Sequence, residues 1–227
     1  MIAPGASYTY DLRLWLDENT TNSESGKIFR GKIRVEASQL NYTTDGLLVW
    51  YDGRSRGNTA NVWQDLSAHH NDGIITTSNS WTEDGLLLDG NNNYVNVGLS
   101  NYDFQDQITY AIRLKFHTIK DADFFGNWES AGGGLAIMEN KLLFQLSIAN
   151  HYQNVFATSL DLELDKFYTI VGTYDGSRMT LYVDNEKVGY LVISGNVKTI
   201  NLPILLGANP YYQDGKVMGQ KKCTCYH

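Results

Sequence analysis

Residues 173–188, Thr-Tyr-Asp-Gly-Ser-Arg-Met-Thr-Leu-Tyr-Val-Asp-Asn-Glu-Lys-Val, hold two tight turns and a strand. Asp175-Gly176 stands between the strand-like runs 168–174 and 179–183. Hairpin turns favour a positive φ, which Gly adopts at little steric cost. After Val183 the chain reverses again through Asp184-Asn185-Glu186-Lys187, where Asn185 is expected to take the left-handed conformation that Gly would otherwise supply. Both turns read as structural, so Asp175 and Asp184 are expected to act as backbone partners and not as catalysts.

Similar signals recur on both sides of this stretch, at the spacing of about 8–12 residues typical of sandwiches. Apolar or alternating runs occupy residues 47–51, 85–88, 94–97, 108–117, 134–138, 141–147, 155–158, 187–193 and 204–207. No segment keeps a 3.6-residue period, so almost no helix is expected. Aromatics make up 12% of the chain, led by 15 Tyr, and 21 Gly stand against 3 Pro. That composition favours strands and turns, and the expected class is all-β.

A formal net charge of -7 is spread along the 227 residues. It leaves no cationic surface for phosphate neutralisation, so nucleic acid is not an expected partner. No apolar run approaches the roughly 18 residues of a membrane span, and no membrane insertion is expected. Residues 1–5 lack the basic start and apolar run of a signal peptide. Cys223 and Cys225 are the only cysteines and sit near the C-terminus, so no disulfide framework is available.

Residues 1–38 contain two strand-like pieces, 8–16 and 27–36, separated by a polar stretch. A lone hairpin is marginal in water, so this pair needs support. It resembles the closing hairpin of an immunoglobulin-like domain of bacterial surface and biofilm-matrix proteins, through Pro4, Gly5, Tyr8, Thr9, Tyr10, Leu12, Leu14, Trp15, Gly31, Lys32 and Ile33. The expected organisation is therefore a β-hairpin remnant of a preceding domain over 1–38, a linker over 39–44 and the main domain over 45–227.

The main domain carries a second resemblance. Gly172-Thr173-Tyr174-Asp175-Gly176-Ser177 followed by Leu181-Tyr182-Val183-Asp184-Asn185 resembles the signature hairpins of laminin G-like jelly rolls in the concanavalin A-like lectin/glucanase superfamily. Three further pieces match in the same order: residues 48–52, the run from Trp63 to Gly73, and Leu88-Asp89-Gly90-Asn91-Asn92-Asn93-Tyr94-Val95. The resemblance implies a two-sheet antiparallel jelly-roll sandwich. It departs at the C-terminus. After Leu206-Gly207-Ala208-Asn209-Pro210 the family carries a strand of the type Val-Arg-Ile-Tyr-Asn-Arg, whereas this chain ends in Lys221-Lys222-Cys223-Thr224-Cys225-Tyr226-His227. The expectation is a missing last strand, through truncation or a reading-frame slip, with an exposed sheet edge.

Candidate chemistry falls into four groups. Asp65, Asn71, Asp72 and Asp89 supply oxygens in Gly-containing loops, and Ca²⁺ takes six to eight such ligands. The resemblance implies calcium near loops of this kind, while the same residues also read as hydrogen-bonded turns. Trp128, Glu129, Tyr152, Tyr211 and Tyr212 lie in polar, loop-like contexts, and aromatic faces bordered by amides and carboxylates suit sugar rings. The alternative is that Trp128 plugs the end of the sandwich and the tyrosines are ordinary surface residues.

Asp161-Leu162-Glu163-Leu164-Asp165 would place three carboxyls on one strand face about 6.6 Å apart, near the spacing a retaining glycosidase needs. Related glucanases carry the opposite order of acids, and an exposed acidic turn explains the run equally well. Cys223, Cys225 and His227 offer three soft donors where a closed zinc site wants four. The function expected from these features is a noncatalytic carbohydrate- or protein-binding adhesion module, extracellular or on a bacterial surface, whose partner is a glycan or a surface protein. A glycoside hydrolase and a purely structural spacer are the alternatives.

Overall fold

The computed structural model describes residues 44–53, 61–76, 81–82, 85–91, 93–128, 132–158, 160–213, 216–220 and 224–226. The chain divides into Met1–Tyr42 and Thr43–His227. The expected hairpin remnant over 1–38 and most of the linker lie outside the described residues.

Every regular element described is a strand. In chain order they are β1 (Val62–Trp63), β2 (Gly73–Ile75), β3 (Trp81–Thr82), β4 (Gly85–Asp89), β5 (Val95–Gly98), β6 (Ile108–Phe116), β7 (Ala122–Gly126), β8 (Gly134–Met138) and β9 (Lys141–Ile148). They continue with β10 (His151–Phe156), β11 (Phe167–Tyr174), β12 (Arg178–Val183), β13 (Glu186–Val192), β14 (Ile204–Leu206), β15 (Asn209–Gln213), β16 (Lys216–Gln220) and β17 (Thr224–Tyr226). One sheet runs β1-β2-β5-β14-β7-β8-β9-β10 and the other β13-β12-β11-β6-β17-β4-β3, with β15-β16 as a separate hairpin. All pairings are antiparallel, and the fold is the expected all-β jelly-roll sandwich.

The quoted stretch folds as read. Strands β11 and β12 pair from Ile170 with Val183 to Tyr174 with Met179. Between them Asp175 Oδ1 accepts from the Ser177 N–H at 2.9 Å, the Ser177 hydroxyl at 2.8 Å and the Arg178 N–H at 2.8 Å, while Gly176 takes φ 87°. The next reversal places Asp184 at φ 49° and Asn185 at φ 70°. Asp184 Oδ1 also accepts from the Thr169 N–H at 2.8 Å, so both acids serve the backbone.

Strand alternation builds the core. Ile108, Tyr110, Leu114 and Phe116 of β6 and Tyr168, Ile170 and Tyr174 of β11 face Leu142, Phe144, Leu146 and Ile148 of β9 in one buried cluster. Each large apolar side chain removed from water in this way contributes about 1.5–3 kcal/mol. The two layers meet closely where Gly172 faces Phe144: a Cβ on Gly172 would lie 2.7 Å from the Phe144 ring.

Two expectations fail. Residues 47–51 form no ladder strand; Trp50 is linked to Asp65 and Leu66 by hydrogen bonds. The expected gap at the last strand is filled. Thr224–Tyr226 pairs with β4 on one side and β6 on the other. A ladder is made by backbone amides, so a short strand of unrelated side chains can complete a sheet whose neighbours are already in place.

Candidate functional site

The outer face of the eight-stranded sheet follows from the two-residue period of β9. Leu142, Phe144, Leu146 and Ile148 point into the core. Leu143, Gln145 and Ser147 therefore point the other way. The register with β10 sets Phe156 beside Leu143, Asn154 beside Gln145 and Tyr152 beside Ser147. On the far side, β8 sets Ala136 beside Leu143 and Gly134 beside Gln145. Trp128, just beyond β7, packs with Ala136 and Leu143 against Met138 and Phe156. Trp128 and Tyr152 thus share one sheet face, with exposed Asn154 and the buried Gln145 and Ser147 between them.

Their exposures differ. Tyr152 is 54% exposed, on a strand and not in the loop that the polar run Ala149-Asn150-His151-Tyr152-Gln153 implied. Such a run suits an edge strand, which has solvent along its flank. Trp128 is only 7% exposed, packed on the outer sheet face and not at the end of the sandwich, and it cannot present an open stacking face. The Trp128 Nε1–H and the Ser147 hydroxyl are both buried without a hydrogen-bond partner among the described residues. An unmatched buried donor costs about 1–3 kcal/mol, so native folds rarely leave one without a reason.

Of the other predicted aromatics, Tyr211 lies near Tyr94, which packs against the outer face of the sheet. Ile204 and Leu206 belong to the core cluster, which turns Leu205 outward to pack with Tyr94 and Ala208. Tyr211, on β15, stands close enough to Tyr94 that it adds to the upward shift that burial imposes on the Tyr94 phenol. Tyr212 lies on the same strand. Glu129 lies outside the described residues, as does the Tyr212 side chain.

The candidate metal ligands split into two separate turns. Asp65 is 1% exposed. Its Oδ1 accepts from the N–H groups of Trp50 at 2.7 Å and Ser67 at 2.9 Å, and its Oδ2 from the Ser67 hydroxyl at 2.6 Å and the Asn71 N–H at 2.8 Å. Asp72 Oδ1 accepts from the Asp65 N–H, and Asn71 Nδ2 donates to the Leu48 carbonyl. Burial raises the Asp65 carboxyl, but hydrogen bonds from Ser67, Trp50 and Asn71 outweigh it and hold the group below the usual carboxylate range. Asp89 Oδ1 caps Asn91 and Asn93 in its own turn.

Four donors directed at Asp65 occupy the lone pairs a cation would need, so the Asp65 carboxylate does not fit a calcium ligand. Among the described residues no group of three or more His, Cys, Asp or Glu could hold a metal. The cluster is instead a latch, fastening residues 48–50 to the loop that follows β1.

The acidic run 161–165 is not a strand. Glu163 pairs with Lys166, and Asp165, at φ 60°, pairs with His117. The face-sharing geometry that a strand would impose is therefore lost. Of the outer-face polar strip, sequence reasoning missed Gln145, Ser147 and Asn154. The available signal was a Gln and a Ser two residues apart in the otherwise apolar run Leu142-Leu143-Phe144-Gln145-Leu146-Ser147-Ile148.

The Laminin_G_3 family pattern, described as Concanavalin A-like lectin/glucanases superfamily, matches residues 89–220, more than half of the chain. The chain belongs to this superfamily. Solved structures similar to this laminin G-like domain include domains LG4-5 of the mouse laminin alpha1 chain, with 16% identity and a TM-score of 0.42, covering 66% of this chain and 43% of that one. Another is domain 4 of AbnA, a GH43 extracellular arabinanase from Geobacillus stearothermophilus solved with arabinotriose, with 14% identity and a TM-score of 0.44 over 72% and 85%. A third is Trypanosoma rangeli sialidase, with 18% identity and a TM-score of 0.49 over 76% and 29%. The chain spans less than half of the laminin chain and less than a third of the sialidase. No curated protein matches it.

Proposed function

We propose that this domain is a noncatalytic recognition module that takes a carbohydrate on the outer face of its eight-stranded sheet, within an extracellular or bacterial surface protein used in adhesion. One juxtaposition carries the reading: exposed Tyr152 in register with Ser147, and Asn154 in register with Gln145 on the same face. The C–H face of a pyranose stacks on a phenol ring, while its hydroxyls pair with amide and hydroxyl groups that can donate and accept. Membership of a lectin/glucanase superfamily is consistent with a sugar ligand.

A glycan array, run with and without EDTA, tests this. Binding of at least one glycan class is expected, unchanged by EDTA because Asp65 is filled by donors. Tyr152→Ala is expected to weaken that binding at least tenfold, about 1.4 kcal/mol, with an unchanged unfolding midpoint. A wild-type chain that binds only a protein ligand, or a Tyr152→Ala variant that binds as well as wild type, would overturn the reading. Release of reducing ends from polysaccharide, lost in Glu163→Gln, would favour the hydrolase.

A further inference from the structure

Between the sheets, at one end of the sandwich, the core is not filled. A cavity of about 900 Å³ opens where residues 102–107 and the segment 45–49 meet the ends of both sheets. Leu48, Val97, Phe104, Ile108 and Phe125 line its depth. Protein interiors are normally packed without voids much larger than a water molecule, and this volume lies in the range of small-ligand pockets.

Hydrogen bonds hold the walls in place. In the loop, Asn101 N–H donates to the Ile200 carbonyl at 2.9 Å, Tyr102 N–H to Leu99 at 3.3 Å and Gln107 N–H to Phe104 at 3.2 Å. On the opposite wall the Leu48 carbonyl accepts from the Ser67 hydroxyl at 3.2 Å and from Asn71 Nδ2 at 2.9 Å. The Asp65 latch therefore keeps one wall from collapsing inward.

The lining selects a ligand. Tyr110 is 4% exposed, and its hydroxyl finds no hydrogen-bond partner among the described residues. Burial pushes that phenol above its ordinary value, so it stays a neutral donor and acceptor at the cavity wall. The exposed residues at the mouth include Asp45, Asp103, Asp106 and Asp175, and no Lys, Arg or His is among the described lining residues. Asp103 and Asp175 cap the turns they begin. Asp45 and Asp106 have no hydrogen bond among the described residues and face solvent.

We propose that this cavity binds a small amphiphilic organic cation, an alkyl- or arylammonium, with its apolar body among Val97, Ile108 and Phe125 and its cationic head at Asp45 and Asp106. An apolar chain entering the sheet interior leaves water, and an ammonium left at the mouth keeps its charge among carboxylates. A fatty acid or alkyl sulfate would carry its anion into the same field and be repelled. The site is distinct from the sugar-facing sheet and stands without it.

The test is a calorimetric titration of the full chain with n-octylammonium, 1-octanol and octyl sulfate, followed in parallel by the aromatic NMR resonances. Octylammonium is expected to bind at least tenfold more tightly than octanol, to shift the Tyr110 and Phe125 ring signals, and to weaken severalfold as salt is raised. Octyl sulfate is expected not to bind. The double variant Asp45→Asn/Asp106→Asn, at exposed positions that leave folding intact, is expected to weaken octylammonium at least fivefold and leave octanol unchanged. Ile108→Trp, which fills the cavity, is expected to abolish binding; should it fail to fold, the double variant decides. Equal binding of octanol and octylammonium, no shift at Tyr110, or a double variant that binds octylammonium as wild type does would overturn the proposal.

Discussion

Asp175 and Asp65 perform the same chemistry over different reaches. Both are carboxylates that collect backbone N–H groups and a serine hydroxyl two residues on. The donors to Asp175 lie two or three residues away on an exposed hairpin tip. Those to Asp65 include Asn71, six residues on, and Trp50, fifteen residues back, at a buried position. The first closes a turn whose strands would pair anyway. The second ties together segments that share no ladder, and it works beside the bonds that the Leu48 and Trp50 carbonyls accept from Ser67, Asn71 and Leu66.

The sharpest way to break this comparison is Asp65→Ala, which strands buried donors and frees the wall formed by residues 48–50. We expect a loss of about 3 kcal/mol or more in chemical denaturation, since hydrogen bonds to a charged group are worth about 1.5–3 kcal/mol each and are not additive. A loss no larger than that of Asp175→Ala would erase the distinction. Next is Gly172→Ala, on the hairpin but against Phe144, where the added methyl overpacks the core. About 1–3 kcal/mol of destabilisation is expected, relieved in the double variant that also shortens Phe144 to Leu.

Acid sharpens the comparison further. The folded-state value of Asp65 lies below the ordinary carboxylate value of about 3.9, so its contribution is full above that pH and is lost as pH falls through the lower folded value. Stability measured across this acid range should decline less steeply in Asp65→Asn than in wild type. An identical pH profile would remove Asp65 from the account. Asp175 is also held below its usual range, by the Ser177 N–H first and then by the Ser177 hydroxyl and the Arg178 N–H. Because it is exposed to water, Asp175→Ala is expected to give the smallest shift in midpoint of the series.

Strands with clear alternation were legible: β6, β11 and β12 appear where their side-chain pattern puts them, and Asp175-Gly176 and Asp184-Asn185 turn as their residue types require. Residues 47–51 look equally strand-like yet pair with no ladder, because their polar backbone groups are taken by the Asp65 latch. The polar run at 149–153 reads as a loop, yet its residues 151–153 open β10, since an edge strand has no second sheet neighbour to demand apolar side chains. At the ligand face, Tyr152 was visible as an aromatic among polar residues. Its neighbours Ser147 and Gln145 were hidden in a run that reads as core.

What the residues determined by themselves was local: where β-branched and aromatic side chains alternate, and where Gly, Asn and Asp permit a reversal. Those preferences act within a few residues, and they suffice for an all-β chain. The tertiary structure alone decided that Tyr152 stands beside Ser147, that Thr224–Tyr226 slots between β4 and β6, and that the sandwich end stays open above Tyr110. Each of these depends on register between distant segments, which backbone hydrogen bonds and close packing select only once both sheets have formed.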